Sequence, residues 1–265
     1  MTTSTSTEFV VSGAEALLRV DLVGLSATSA ELSMTAGPWL ADPVAGVCRG
    51  ALGVPLDDVT GYVIASGAPQ GKWPVSLGIR VDFLADPPVD GAAVSITGEL
   101  VARDERGGAT RGSVVDAAGA TVALITQRSH LVAVEEQPTS TAATIAAPAP
   151  EVTLREALGV QDFGSGVVEL APTPFAANGM GNIHGGILIV GSELAAMSAV
   201  DAHGELRTTS IDISYVRPGN AADTTAFRAE VLHRGRSLMV VRVAAANSSG
   251  KPCALATVVL QRYES

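Results

Sequence analysis

The chain of 265 residues reads as two related halves, and this internal repeat constrains its fold more than any other feature. Pro38-Trp39 corresponds to Pro174-Phe175 at an offset of 136 residues. At that offset Asp42 meets Asn178, Cys48 meets His184, Gly50 meets Gly186 and Asp57 meets Glu193. Farther along, the offset narrows to 132, where Ser76 meets Thr208 and Ile79-Arg-Val-Asp-Phe83 meets Ile211-Asp-Ile-Ser-Tyr215. It ends at 131, where Gly119 meets Gly250. Residues 137–150 are rich in Pro, Ala, Thr and Ser and show no periodicity, so they read as a linker. The expected organisation is a first unit over 10–135, a linker over 136–150 and a second unit over 151–265.

Each half carries the same succession of signals: leading strands, a loop, an apolar helix, then three or four strands. In the second half the helix covers about 187–200, and strands follow near 208–215, 227–232, 238–246 and 254–261. In the first half strands are expected near 75–84, 93–103, 110–116 and 121–131, after a helix that starts at Pro55, since proline suits the first helical turn. This is an α+β pattern.

The chemistry concentrates where a polar, glycine-rich loop, Asn178-Gly-Met-Gly-Asn-Ile-His184-Gly185-Gly186, runs into the apolar helix. A helix start presents free backbone N–H groups. Glu193 lies inside that helix among Ile, Leu, Val, Ala and Gly, and an ionised carboxylate is costly to bury unless it is paired or used. N–H donors beside a carboxylate suit the hydrolysis of an activated acyl group.

Asn178, His184-Gly185-Gly186 and Glu193, followed by Tyr215-Val-Arg217-Pro218 and His233-Arg234-Gly-Arg236-Ser237, resemble the hotdog-fold acyl-CoA thioesterases, in particular the phenylacetate-type family. The likeness covers about residues 152–262. It implies two tandem hotdog domains, each an antiparallel sheet wrapped around a central helix, together imitating the family's dimer.

In that family the site lies between two units. One supplies the Asn, His and Gly loop, and the other an acid from its helix and a hydroxyl from the next strand. The resemblance therefore implies one site of Asn178, His184 and Gly185 with Asp57 and Ser76, and a second of Asp42, Cys48 and Arg49 with Glu193 and Thr208. The first keeps every residue type; the second has lost the Asn and His, and is expected to be weak or dead. Asp57, Asn178, His184, Gly185 and Glu193 are the catalytic candidates. Ser76, Gly186, Thr208, Arg217, Arg234 and Arg236 are the substrate-binding candidates, the arginines against the phosphates of coenzyme A. Plainer readings stand beside these. Asp57 is also an ordinary helix-start acid, with Asp58 as a substitute. Glu193 is also the partner of an arginine, His184 a loop residue, Ser76 and Thr208 strand hydroxyls, and the arginines solvated turn residues. Cys48 reads as a small buried filler.

The net charge of −10 and the lack of a basic run argue against nucleic acid and anionic membranes as partners. Two cysteines without metal spacing fit a reducing cytoplasm, and no metal or cofactor is expected beyond the coenzyme A of the substrate. The expected activity is acyl-CoA hydrolysis. The alternatives are an acyl-CoA-binding protein without turnover, and a hotdog enoyl-CoA hydratase or dehydratase, although 182–184 lack that group's proline. Two such chains could associate as a homodimer.

Overall fold

A computed structural model describes residues 7–138 and 145–263. Residues 139–144 of the expected linker lie outside the described residues. The first half runs α1 (Gly13–Leu18), β1 (Val20–Leu25), β2 (Ser29–Thr35), a two-rung hairpin of β3 (Ala41–Asp42) and β4 (Gly46–Val47), then α2 (Gly53–Ala65). It closes with β5 (Lys72–Phe83), β6 (Ala93–Asp104), β7 (Gly107–Val115) and β8 (Thr121–Ala133). The second half runs α3 (Leu154–Ala157), β9 (Val160–Asp162), β10 (Val167–Leu170), α4 (Gly185–Ala199), β11 (Leu206–Tyr215), β12 (Thr225–Arg234), β13 (Leu238–Asn247) and β14 (Pro252–Arg262).

Twelve strands form one antiparallel sheet in the order β1-β2-β6-β7-β8-β5-β11-β14-β13-β12-β10-β9. Read inward from either edge, the two halves have the same strand order. They meet where β5 pairs with β11, Gly78 to Asp82 against Ser214 to Ser210. β5 and β11 carry bulges at matching places, Ser76/Gly78 and Thr208/Ser210. These bulges fix the correspondence: Ile79 faces Gln127 as Ile211 faces Val258.

α2 packs on β2 and β5 to β8, α4 packs on β10 to β14, and the two helices touch each other. Val54, Leu56, Val59, Val63 and Ile64 from α2, with Ile187, Ile189, Val190 and Leu194 from α4, are fully buried. Each such side chain contributes about 1.5–3 kcal/mol of burial. The helices approach through glycine: a Cβ on Gly186 would lie 2.3 Å from the Val54 nitrogen. α2 begins two residues before Pro55, because a 3₁₀ turn over Arg49–Leu52 already winds the chain into helical geometry. Asp57 is thereby drawn onto the second turn rather than the first. Among the described residues no helix is long and apolar enough to cross a membrane.

Candidate functional site

β5 and β11 pair only over their inner parts. Beyond that, residues 73–77 separate from 215–219 and leave a cavity of about 450 Å³ between the halves. Asp57, Ser76 and Gln127 line it from the first half; Asn178, His184, Gly185, Tyr215 and Arg217 line it from the second.

Asp57 sits in a closed set of hydrogen bonds. Ser76 Oγ donates to Asp57 Oδ1 at 2.9 Å, and Gln127 Nε2 donates to the same oxygen at 3.0 Å and to Ser76 Oγ at 2.6 Å. Thr60 donates to Gln127 Oε1, which fixes which end of the amide faces the acid. One carboxylate oxygen is thus held and the other, Oδ2, is turned toward Gly185, where a Cβ would come within 2.4 Å of it. Burial raises the Asp57 pKa, and nearby His184, Ser76 and Gln127 oppose the rise. The result is a more basic carboxylate than one in water.

Gly185 and His184 form the start of α4. His184 caps the helix, its Nδ1 accepting the Gly186 N–H at 3.0 Å, and Tyr215 donates its hydroxyl proton to the Gly185 carbonyl at 3.0 Å. The Gly185 N–H makes no hydrogen bond among the described residues and stands at the positive end of the helix. Glycine is needed here because any side chain would strike Asp57.

His184 Nε2 lies 3.1 Å from Asp58 Oδ1 and 3.5 Å from Glu15 Oε1, all three groups buried. Glu15 comes from α1, where its Oε2 accepts from the Ser12 N–H at 2.8 Å and from the Ser12 hydroxyl. α1 is pinned to the loop before His184 by Ala14 N–H and the Ser12 hydroxyl, both donating to the Ala177 carbonyl. Burial disfavours the histidine cation, but Asp58 and Glu15 outweigh it and raise the proton affinity of the ring. Burial, with Glu15 alongside, pushes Asp58 up to about 7. Glu15, Asp58 and His184 could also converge on a metal ion. However, a ring whose Nδ1 accepts an N–H carries its proton on Nε2, the atom a metal would need.

Asn178 borders the cavity, but its Oδ1 is engaged by the loop, accepting the N–H of Met180 at 2.9 Å and of Asn182 at 3.1 Å. It shapes the loop that delivers His184. Gly186 is buried under Val54 and faces the helix crossing rather than the cavity.

The structure does not bring Glu193 and Thr208 to this cavity. Glu193 is 0% exposed; its Oε2 accepts from Gly50 N–H at 2.7 Å and Cys48 Sγ at 3.1 Å. Cys48 is thus a donor to a buried acid as well as a filler. Val258 stands where the first half has Gln127, so the hydrogen-bonded set cannot form. Arg49, at the place of Gly185, donates to Asp86 at 2.6 Å and to the Thr208 carbonyl at 2.9 Å, and Arg155 holds Asp42 at 2.6 Å. The corresponding loop is locked by ion pairs.

The three arginines do not cluster. Arg217 is exposed at the cavity mouth. Arg234 donates to the Val200 and Ala199 carbonyls at the far end of α4, about 20 Å from the cavity for a helix of this length. Arg236 is an exposed turn residue. Gln127 and Glu15 belong to the site and were not among the expected residues. The alternation of β8 could have shown Gln127, since it shares a face with Ile125 and Leu131.

Residues 180–254 match the thioesterase superfamily. The fold extends the likeness to the whole chain. The TesB protein of Mycobacterium avium subsp. paratuberculosis superposes with a TM-score of 0.66 at 12% identity, over 95% of this chain and 98% of that one. Acyl-CoA thioesterase II TesB2 of Mycobacterium marinum gives 0.64 at 11% identity, over 95% and 97%. The 12:0-ACP thioesterase of Umbellularia californica gives 0.62 at 12% identity, over 89% and 94%. No curated protein sequence matches significantly. At these identities the likeness is one of fold, and the chain resembles the hotdog-fold thioesterases along nearly its full length.

Proposed function

We propose that this chain is an acyl-CoA thioesterase built from two tandem hotdog domains, 10–135 and 151–265, with one working site between them. The observation that carries the reading is the Asp57–Ser76–Gln127 set, which leaves one carboxylate oxygen beside Gly185, the first residue of α4, inside a cavity.

In this reading Asp57 Oδ2 takes a proton from a bound water, whose oxygen adds to the thioester carbonyl carbon. The carbonyl oxygen gains negative charge and is received by the Gly185 N–H at the start of α4. One such donor typically supplies about 10²–10³ in rate. The C–S bond then breaks, the departing sulfur recovers the proton from Asp57, and free acid and thiol leave. Ser76 and Gln127 aim Asp57, and His184, held by Asp58 and Glu15, fixes the first turn of α4. Arg217 at the mouth suits a phosphate of coenzyme A. The site of Glu193, Cys48 and Arg49 is structural and silent.

The test is product analysis with acyl-CoA substrates: wild type is expected to release equal amounts of free acid and coenzyme A, and Asp57→Asn neither. Binding of acyl-CoA without release, or hydration of an enoyl-CoA instead, would reject the reading.

A further inference from the structure

Gly61 lies inside α2, where glycine is a poorer helix former than alanine. Packing does not require it: a Cβ built at this position meets nothing within 4 Å. By contrast, Cβ atoms at Gly185 and Gly186 would collide with neighbours, and one at Gly53 would press on Ile189 at 3.0 Å. The open space beside Gly61 belongs to the cavity that holds Asp57. Positions 57 and 61 are one helical turn apart, so they face the same side of α2. Tyr62, Trp73, Val75 and Val132 line the same cavity. Trp73 meets Tyr62 edge-on with ring centres 5.8 Å apart. The Tyr62 hydroxyl is engaged, accepting the Val10 N–H at 2.8 Å, and the remainder of the ring is apolar.

The other half supplies the comparison. At the offset that pairs Asp57 with Glu193, Gly61 pairs with Met197. Met197 is 1% exposed, and the acid one turn before it is sealed from solvent. The half with a long side chain at this position is filled, and the half with glycine is open.

We infer that Gly61 sets which substrates the site accepts, by leaving a channel along α2 for an apolar acyl chain that extends past the carbonyl by more than one helical turn. The inference rests on the thioesterase reading and adds to it the substrate class: thioesters of extended aliphatic acids rather than of acetate or other short acids. Met197 is the corresponding plug in the silent half.

The experiment compares wild type with Gly61→Ala and Gly61→Met on acetyl-, butanoyl-, octanoyl- and dodecanoyl-CoA. Wild type should prefer the two longer chains. Gly61→Met should lose at least tenfold in kcat/KM on octanoyl- and dodecanoyl-CoA and stay within about twofold on acetyl- and butanoyl-CoA, with Gly61→Ala in between. An equal change on all four substrates, or none on any, would overturn the inference. Calorimetric binding of a non-hydrolysable dodecyl thioether of coenzyme A separates the two claims. If wild type binds it and Gly61→Met does not, although no substrate is cleaved, the channel stands and the hydrolytic reading falls. If both bind it equally, the channel falls.

Discussion

Gly185→Ala tests the geometry on which the chemistry depends. The added Cβ would lie 2.4 Å from Asp57 Oδ2 and 3.1 Å from the Tyr215 hydroxyl, where ordinary contact is 3.4–4 Å. The carboxylate must therefore give way by about 1 Å. It cannot retreat directly, because Ser76 and Gln127 hold its other oxygen at 2.9 and 3.0 Å, so it has to rotate and surrender part of that set. A displacement of this size at a reacting group costs about 10²-fold in rate, or about 2.7 kcal/mol of barrier. Overpacking of this kind costs about 1–3 kcal/mol of stability. Gly186→Ala is the contrast. Its Cβ would meet the Val54 backbone nitrogen at 2.3 Å, and backbone cannot rotate aside, so this variant should lose more stability. Thiol release under saturating acyl-CoA, together with denaturant unfolding, reads both effects. A folded Gly185→Ala protein with wild-type kcat would refute the placement of Asp57 against the helix start.

Four other outcomes follow from the same geometry. Gln127→Ala should lower kcat by about 10–10² while KM changes little, since it removes the donor that orients Asp57 and Ser76; steady-state kinetics on pure protein decides it. Glu193→Ala should cost about 2–4 kcal/mol of stability, by opening a cavity and leaving the Gly50 N–H unpaired, whereas Glu193→Gln should keep normal turnover; unfolding curves and activity separate the two. Gly61→Ala should stabilise the fold by about 0.5–1 kcal/mol, seen as a higher Tm.

The pH dependence has a definite sign. Asp58 and His184 both bind protons more tightly folded than unfolded; the Asp58 contribution is full only below the ordinary aspartate range and is lost as pH rises from there to about 7, and that of His184 is present below the ordinary histidine range and is lost as pH rises above it. Glu15 has its pKa lowered, so its contribution is lost only as pH falls below the ordinary glutamate range. Stability should peak on the acid side of neutral. Turnover should fall there, because Asp57 must be ionised and its pKa is raised. Thermal melts and kcat profiles from pH 4 to 9 would show a peak in stability at lower pH than the peak in rate.

Much of this was legible in the sequence because the repeat carries it. The offset of 132 matched β5 with β11, which carry bulges at the corresponding residues, and the offset of 136 put Asp57 opposite Glu193. What sequence could not show was which acid is reached by solvent. Asp57 and Glu193 stand at equivalent places, and their fates differ through Gln127 against Val258, Gly185 against Arg49, and His184 against Cys48, three contacts made across the fold. Gln127 sits in the polar run Thr126-Gln-Arg-Ser-His130, where composition gives no hint of burial. Only the phase of the strand places it inside. Glu15 shows as half of a capping box with Ser12, a signal of helix start and not of chemistry. Its contact with His184 spans the two halves and arises from docking of α1 on the loop. Arg217 and Arg234, both candidates for the coenzyme A phosphates, are parted for a related reason: Arg234 binds the C-terminal carbonyls of α4, at the opposite end of the helix from the cavity that Arg217 borders.

The most direct measurement is thiol release from octanoyl-CoA by wild type, Asp57→Ala and Glu193→Gln, each first shown to be folded. One working site at the junction of the halves predicts release by wild type and Glu193→Gln, and none by Asp57→Ala. Full release by Asp57→Ala, or loss confined to Glu193→Gln, would place the chemistry in the sealed half and contradict it.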